Sequence, residues 1–494
     1  MSLIVNARPA GGAPGKAIES DAIDHDDLAA HPHKLIALPM NAKFGFDRQE
    51  LEAIQLTGLQ ARFAALVDRI PVLRKFAEDQ KLTEIRTLED GALLLFPHSL
   101  YKSYPLSAVE KQRFEQLTRW TQALTAIDLS AVDCSGCETI DDWIERLDAQ
   151  TDLRMRHSSG TTGKLSFIPM SREENLWSVL GIDATFSRFG DEPGSEGVRY
   201  GEAPLIAFGY RHGSQSFPRT IEALVEHFYG GDESRVLCMN PGRISADMAS
   251  LAGRLEGAQA KGALGRVQLS PGLMARREQF LEEQAQAPRH LDAFFERLSD
   301  EFRGQRVILQ GVLPPTVDAA MQGLERGLHH LFAPDSAFFL AGGAKGRALP
   351  DNYRELVEKF TGVAFPPSGY GMSEATSALT RMCPQGHFHI VPNLIPYLLD
   401  PDSGAPRPRT GTQTGRLGII DLGCQTRWGG FLTGDEVTLN HGDLTPCGCG
   451  RKGSYIEGEI RRYSEIRGGD DKITCAGAPG IHDKALDFIA GASA

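Results

Sequence analysis

No apolar run in this sequence approaches the ~18 residues that a membrane-crossing helix needs, so a helical membrane span is not expected. The opening MSLIVNARPAGGAPGKAIES lacks the long apolar stretch of a signal peptide and reads as a frayed tail. Basic charge is in deficit: 52 Lys and Arg stand against 64 Asp and Glu, a net charge of −12. Nucleic acid is therefore not expected as the main partner, since that role usually calls for a basic face. Phosphate substrates stay open, because a local nest of backbone N–H groups binds anions whatever the global charge. Cysteine is sparse, eight in 494 residues. That excludes a disulfide scaffold and suggests the reducing cytosol, with thiols free, in the core or on a metal. No internal repeat is present. What is plentiful is ordinary: 41% hydrophobic and 23% charged residues, enough for a large core and for roughly two to four domains at ~100–200 residues each, or one large domain with insertions.

Residues 1–40 are rich in Ala, Pro, Gly, His and Asp with weak periodicity, and read as a flexible tail. From Asp47 to about Gln80, Leu51, Ile54, Leu59, Phe63, Leu66, Ile70 and Leu73 recur at helical spacing. Ser107–Leu129 and Thr139–Leu147 read as further helices. Short apolar runs then alternate with amphipathic stretches. The expected strands are 204–208, 235–239, 306–309, 337–341 and 362–366. The expected helices are 173–189, 244–255, 276–302, 316–331 and 352–360. This alternation predicts an α/β fold with largely parallel sheets flanked by helices. After about Phe388 the helices stop, and short strands at 387–391, 397–399, 415–422, 431–432, 436–439 and 454–459 predict a small β-rich subdomain. A last strand at 472–475 and a helix at 482–489 close the chain. The expected division is 1–40 tail, 41–385 α/β core, 386–468 β-rich subdomain, and 469–494 hinge and stub.

The segment His157-Ser158-Ser159-Gly160-Thr161-Thr162-Gly163-Lys164 is the strongest chemical signal. Small and hydroxylated residues followed by a cation can turn backbone N–H groups, hydroxyls and an ammonium toward phosphates. The alternative is a Ser/Gly surface loop. A Walker A loop is excluded, because Gly160 and Gly163 are too close and Leu165 follows the lysine. Gly371-Met372-Ser373-Glu374-Ala375 does not form a hydrolase nucleophile elbow either.

This loop resembles the phosphate loop of the adenylate-forming superfamily of acyl- and aryl-CoA ligases. Further segments match in order. Ala341-Gly342-Gly343-Ala344-Lys345-Gly346 is similar to the adenine-contacting glycine-rich turn, and Tyr370-Gly371-Met372-Ser373-Glu374 to the Tyr-Gly-x-Ser/Thr-Glu motif. Thr433-Gly434-Asp435 is similar to the ribose-binding Thr-Gly-Asp, and 467–473 (RGGDDKI) to the hinge of the lid domain. The lone lysine after Gly163 is similar to phenylacetate–CoA ligases. The Gly-Gly-x-Lys-Gly turn and 96–102 (FPHSLYK) resemble acyl-protein synthetases of the luminescence type. The resemblance implies a large adenylate-forming N-terminal domain and the cofactors ATP and Mg²⁺. It implies Ser158, Ser159, Gly160, Thr162, Gly163 and Lys164 on the β- and γ-phosphates, and Thr161 and Glu374 near Mg²⁺. Gly342, Gly343, Ala344, Tyr370, Gly371, Met372 and Ser373 would face adenine, with Asp435 on the ribose and Arg467 at the hinge. His212 would gate the acyl pocket, itself lined from about 205–215 and 310–345.

Each of these residues has a plainer alternative. Tyr370 could be a core aromatic, Asp435 a turn residue, Glu374 a carboxylate at a helix N-terminus, and His212 a loop histidine. Arg461 and Arg462 compete with Arg467 in the alignment.

Cys383-Pro-Gln-Gly-His387-Phe-His389 and Cys447-Gly-Cys449-Gly450 form a second constellation. Thiolate and imidazole together suit tetrahedral Zn²⁺, and Cys383, His389, Cys447 and Cys449 would make a closed structural site. Some phenylacetate–CoA ligase relatives carry a similar arrangement. The alternative is reduced cysteines in tight turns, with His387 and His389 on opposite strand faces. Cys134 and Cys137 form a C-x-x-C with no partner pair nearby.

The family's lid is expected to be absent or a stub, because 23 residues follow Asp471. Lys472 and Lys484 fall too early to stand for the lid lysine. Cys475 could parallel the acylated cysteine of the luminescence-type enzymes, or sit buried on a strand. The implied activity is conversion of a fatty or aromatic carboxylic acid to its acyl-AMP, then transfer to a protein thiol, CoA or an amine. The runner-up is a nucleotide- or acyl-adenylate-binding protein without turnover, and a third reading is a zinc-dependent interaction module. Expected partners are the acid, ATP and an acyl acceptor, protein or CoA, with a homodimer admitted and a cytoplasmic location.

Overall fold

The computed structural model describes residues 24–97, 99–158, 164–184, 198–260, 262, 267–344, 347–376 and 380–463. Four parallel strands lie in the order Val236–Ile244, Leu205–Gly213, Ile308–Val312, Ala337–Ala341. Their residues alternate between two apolar layers, as buried parallel strands must. Ile206, Phe208, Leu309 and Phe338 meet Phe294, Leu298, Val317 and Phe360 on one side. Leu205, Ala207, Ile308 and Ala337 meet Val179, Ile221, Leu224 and Val225 on the other. The helices Ser216–Phe228, Ala246–Ala260, Arg277–Asp300, Leu313–Glu325 and Tyr353–Thr361 fall between or after these strands, the α/β alternation that the sequence pattern predicts.

The β-rich part is an antiparallel sheet ordered Phe388–His389, Tyr455–Arg462, Gly430–Asn440, Thr412–Asp421, Leu394–Leu399. One of its faces is closed by residues far away in sequence. Leu59, Phe63, Leu66 and Leu73 pack on Ile395, Tyr397, Ile420 and Trp428. Phe96–Pro97 adds a parallel strand beside Phe431–Leu432. The fold is thus mixed α/β with a parallel and an antiparallel sheet.

Several local expectations change. The tail expected over 1–40 does not hold from residue 24 onward. Helix His25–Ala30 is capped by Asp24, and Leu35 and Ile36 are fully buried, because this segment lies against helix Arg172–Ile182 through His33 and Trp177, with ring centroids 4.7 Å apart. The helix expected from Asp47 to Gln80 is two, Arg48–Leu66 and Pro71–Asp79, divided where the residue before Pro71 is pushed into an extended conformation. The stretch 107–129 likewise divides into Leu106–Glu110 and Phe114–Gln122. No strand forms over 362–366: Gly362 ends the preceding helix in the left-handed region, at φ 80°. The strand and helix expected after residue 471, and Cys475 with them, lie outside the described residues.

Candidate functional site

Ser158 and Lys164 lie at the end of a short hairpin. Arg156–Ser158 pairs antiparallel with Ser166–Ile168, placing Ser158 opposite Ser166. The hairpin is fastened to the parallel sheet's first crossover, where His157 N–H donates to Ser214 O at 2.9 Å and His157 bridges Gln215. His157 itself is fully buried. Burial pushes its imidazole down to about 4, so it is neutral and part of the scaffold at ordinary pH. Ser159, Gly160, Thr161, Thr162 and Gly163 lie outside the described residues, as do Lys345, Gly346 and Arg467. Lys164, at the far end of the loop, is half-buried. Its ammonium donates to Tyr104 O at 2.7 Å and reaches Lys102 O at 3.4 Å, and sits 5.3 Å from the Tyr104 ring centroid.

Immediately after the crossover, helix Ser216–Phe228 begins with no side-chain cap, leaving an N-terminus suited to an anion. Ser216 Oγ meets Ser373 Oγ at 2.8 Å. That contact brings the 370–374 motif to the first turn of this helix, across more than 150 residues of sequence. Tyr370 lies on a two-residue strand paired with Thr380, and its hydroxyl donates to Asp435 Oδ2 at 2.8 Å. Burial and the Asp435 carboxylate hold the phenol well above its usual pKa, so it remains a donor. Arg462 Nε lies 3.2 Å from Asp435 Oδ1. Asp435 is only 2% exposed and is held by Thr433 Oγ1, which accepts from its N–H at 3.1 Å.

Both carboxylate oxygens are therefore engaged. Gly342 and Gly343 follow the last parallel strand, which lies beside Gly369–Tyr370. Gly342 needs its glycine for φ 73°, and a Cβ on Gly343 would meet open space. Ala344 is half-buried and Gly371 exposed, while Met372 and Glu374 are half-buried. His212 is exposed on strand Leu205–Gly213 opposite Arg243. The part of its imidazole that packs against the strand loses water, and this with the neighbouring Arg211 and Arg243 lowers its pKa.

Beneath this surface lies a buried polar network that sequence reading missed. Arg427 and Glu174 are both fully buried and approach to 3.5 Å. Glu174 Oε1 accepts from Gln425 N (2.6 Å), Thr426 N (2.8 Å) and Thr426 Oγ1 (3.1 Å). Arg427 also donates to Thr376 Oγ1 at 3.3 Å, and Thr376 N–H donates to Asp421 at 2.6 Å. The network thus holds the residues just after Glu374. Its one sequence signal is the capping box Ser171-x-x-Glu174, which marks the helix start without revealing that Glu174 turns inward.

The cysteine and histidine segments do converge. One sulfur or ring-nitrogen atom from each of Cys383, His389, Cys447 and Cys449 lies within 4.8 Å of the other three. Cys449 Sγ is 3.2 Å from His389 Nε2 and Cys383 Sγ is 3.9 Å from Cys447 Sγ. Ligands of a tetrahedral Zn²⁺ would be roughly 3.5–3.8 Å apart, so the donor set fits with small adjustments. The two turns share one design. Gly386 N–H donates to Cys383 O at 2.8 Å and Gly450 N–H to Cys447 O at 3.1 Å, each glycine having positive φ. N–H groups of His387 and Gln385 also aim at the Cys383 sulfur, as thiolate ligands require. His387 stands beside the four, with Nδ1 3.3 Å from Cys447 Sγ and its ring stacked on Tyr455 at 4.8 Å. Cys134 and Cys137 are free thiols in a separate turn. Burial raises the pKa of both, which does not favour a thiolate.

No protein-family model matches this sequence, and no curated protein matches it. Solved structures are similar at low identity. A 2-hydroxyisobutyryl-CoA ligase in complex with 2-HIB-AMP and CoA is 15% identical, over 85% of this chain and 70% of that one, with a TM-score of 0.44. ATP-bound MatB from Rhodopseudomonas palustris is 12% identical, over 61% and 46%, at 0.31. The luciferase-like enzyme from the nonluminescent Zophobas morio mealworm is 14% identical, over 63% and 57%, at 0.30. No helix among the described residues is long and apolar enough to cross a membrane.

Proposed function

We propose that this protein uses ATP to activate a fatty or aromatic carboxylic acid as its acyl-AMP. One carboxylate oxygen attacks the α-phosphorus, the bond to the departing pyrophosphate breaks, and the acyl carbon gains AMP as a leaving group. A thiol of a partner protein or of CoA, or an amine, then takes the acyl group and releases AMP. The observation that supports the reading is the pair of contacts Ser216–Ser373 and Tyr370–Asp435, which link the 370–374 motif to the uncapped N-terminal turn of helix Ser216–Phe228 on one side and to Asp435 on the other.

In this reading Ser158, the loop through Gly163 and Lys164 hold the β- and γ-phosphates. Charge in the transition state spreads over phosphate oxygens, so positioned donors do most of the work. Lys164 has to leave the Tyr104 and Lys102 carbonyls to take part. Gly342, Gly343, Ala344, Tyr370, Gly371, Met372 and Ser373 border the base. Asp435 takes the ribose hydroxyls, Arg467 belongs to the hinge and His212 to the acyl entrance. The carboxylate of Glu374 and the hydroxyl of Thr161 are hard oxygen donors of the type Mg²⁺ prefers, and Mg²⁺ would supply charge neutralisation on the phosphates. Cys383, His389, Cys447 and Cys449 hold a structural Zn²⁺.

Purified protein with Mg-ATP and a panel of carboxylic acids is expected to release pyrophosphate and to yield acyl hydroxamates with hydroxylamine. Absence of both products and of ATP binding would refute the proposal. A second reading, a nucleotide- or acyl-adenylate-binding protein without turnover, is favoured by one observation: Lys164 and Asp435 are already engaged by protein groups. Tight binding of an acyl-AMP analogue with background turnover would select it.

A further inference from the structure

The Cys₃His cluster and the nucleotide-binding motifs are two points on one closed loop of structure. Thr380 lies three residues before Cys383 and directly opposite Tyr370. Met382 N–H donates to Ser368 O at 2.9 Å, and Cys383 N–H to His387 O at 2.8 Å, so the strand carrying Tyr370 is bonded step by step to the first cysteine turn. From Tyr370 the connection crosses to Asp435 by the 2.8 Å hydrogen bond. Asp435 lies on strand Gly430–Asn440, whose chain continues to Cys447 and Cys449. The neighbouring strand repeats the link: Tyr455 is paired with His389, and Arg462 on the same strand is paired with Asp435.

What closes the loop at the cluster end is the approach of Cys383 to Cys447 and of Cys449 to His389, in a setting with no disulfide. Phe44 fastens the two ends from a third side. Its ring meets His389 edge-on at 5.5 Å, Arg451 covers it at 5.2 Å, and it shares an apolar cluster with Tyr370, Met372 and Ala375.

We infer that occupancy of the Cys383–His389–Cys447–Cys449 site by a divalent metal controls nucleotide affinity, by locking Tyr370 and Asp435 into one arrangement. The inference rests on the nucleotide-site and zinc readings above and adds the coupling between them. Without a metal the two cysteine turns are joined by weak sulfur contacts, the packing of Phe44 and the two-residue ladder of Phe388–His389 against Tyr455–Ile456, and the turns can shift against each other about that short ladder. Apparent affinity then falls by the fraction of time the site is assembled. Because coupling is reciprocal, ATP must tighten metal binding by the same factor.

The test uses the full chain with zinc and Mg-ATP as probes and no carboxylic acid. Zinc-loaded protein is expected to hold one zinc per chain. Removal of zinc by a chelator should weaken ATP binding at least tenfold with the far-UV circular dichroism retained, and zinc should restore it. In the loaded protein, ATP should raise the zinc affinity, measured by competition with a chromophoric chelator, by a matching factor. Tyr370→Phe, which cuts the loop at the Asp435 hydrogen bond, should abolish that mutual effect while leaving zinc bound. The competition measurement stands even if stripping unfolds the protein. Equal ATP affinity with and without zinc, or zinc affinity indifferent to ATP, overturns the inference. Zinc-loaded protein that binds no ATP overturns the nucleotide reading, and a protein that retains no zinc overturns the cluster reading; either outcome removes the inference with it.

Discussion

Replacing Arg427 with methionine would remove the cation from a pair that water does not reach. Arg427 and Glu174 both have no exposed surface, so the carboxylate left behind cannot be rescued by solvent. Three donors from Gln425 and Thr426 would remain on it. They soften the loss but supply no net charge. Breaking one side of a buried pair costs about 3–5 kcal/mol, and the remaining donors place the expectation near the lower end, about 3 kcal/mol. The double variant Arg427→Met/Glu174→Gln keeps those hydrogen bonds and removes both charges, so it should recover most of the loss.

The measurement is a double-mutant cycle on denaturant midpoints followed by fluorescence, with Trp428, buried at 2% exposure, as the adjacent reporter. A chain of this size need not unfold in one step, so the transition reported by Trp428 is the one to compare. An Arg427→Met variant within 1 kcal/mol of the parent, or a double variant as unstable as the sum of the singles, would refute the reasoning. Since Arg427 bonds Thr376 two residues after Glu374, the same variant should raise the KM for ATP more than a surface substitution of equal stability.

Three further outcomes are expected. Lys164→Met should lower adenylation about a hundredfold, as loss of a cation on the transferring phosphates does, with little change in thermal stability because the half-buried methionine keeps the apolar packing and gives up two carbonyl bonds and the contact over the Tyr104 ring; an unchanged pyrophosphate-release rate would count against it. Asp435→Asn should weaken ATP binding roughly tenfold, in line with loss of a charged acceptor, read by equilibrium titration. Asp443 gives the pH dependence. Burial pushes its carboxyl up, but bonds from Thr410 and Gly411 and the Arg48 guanidinium outweigh this and hold it at about 2. The native state therefore binds fewer protons there than the unfolded chain. The stabilisation is present above the ordinary carboxylate value near 3.8 and is lost as pH falls through about 2, so Asp443→Asn should cost stability at pH 7 and converge with the parent in acid.

The sequence alone determined the alternation of strands and helices, because burial on both faces of a parallel sheet writes continuous apolar runs such as 337–341, and the observed strand there has those bounds. It also marked the small-residue loop before Lys164 and the two cysteine segments, since glycine and sulfur chemistry is local and shows at short spacing. It did not reveal that 24–40 folds back, because a few apolar residues among Pro and His acquire meaning only from the surface they cover.

Nor could it show that Glu174 and Arg427 face each other in a dry interior, that Tyr370 spends its hydroxyl on Asp435, or that Ser216 touches Ser373. Those facts depend on distances between segments more than 60 residues apart, and no local pattern encodes them. Tertiary packing also set the place of His387: the pairing of His389 with Tyr455 puts the imidazole that the sequence had singled out among the three sulfurs, and His387 is stacked on Tyr455 beside them.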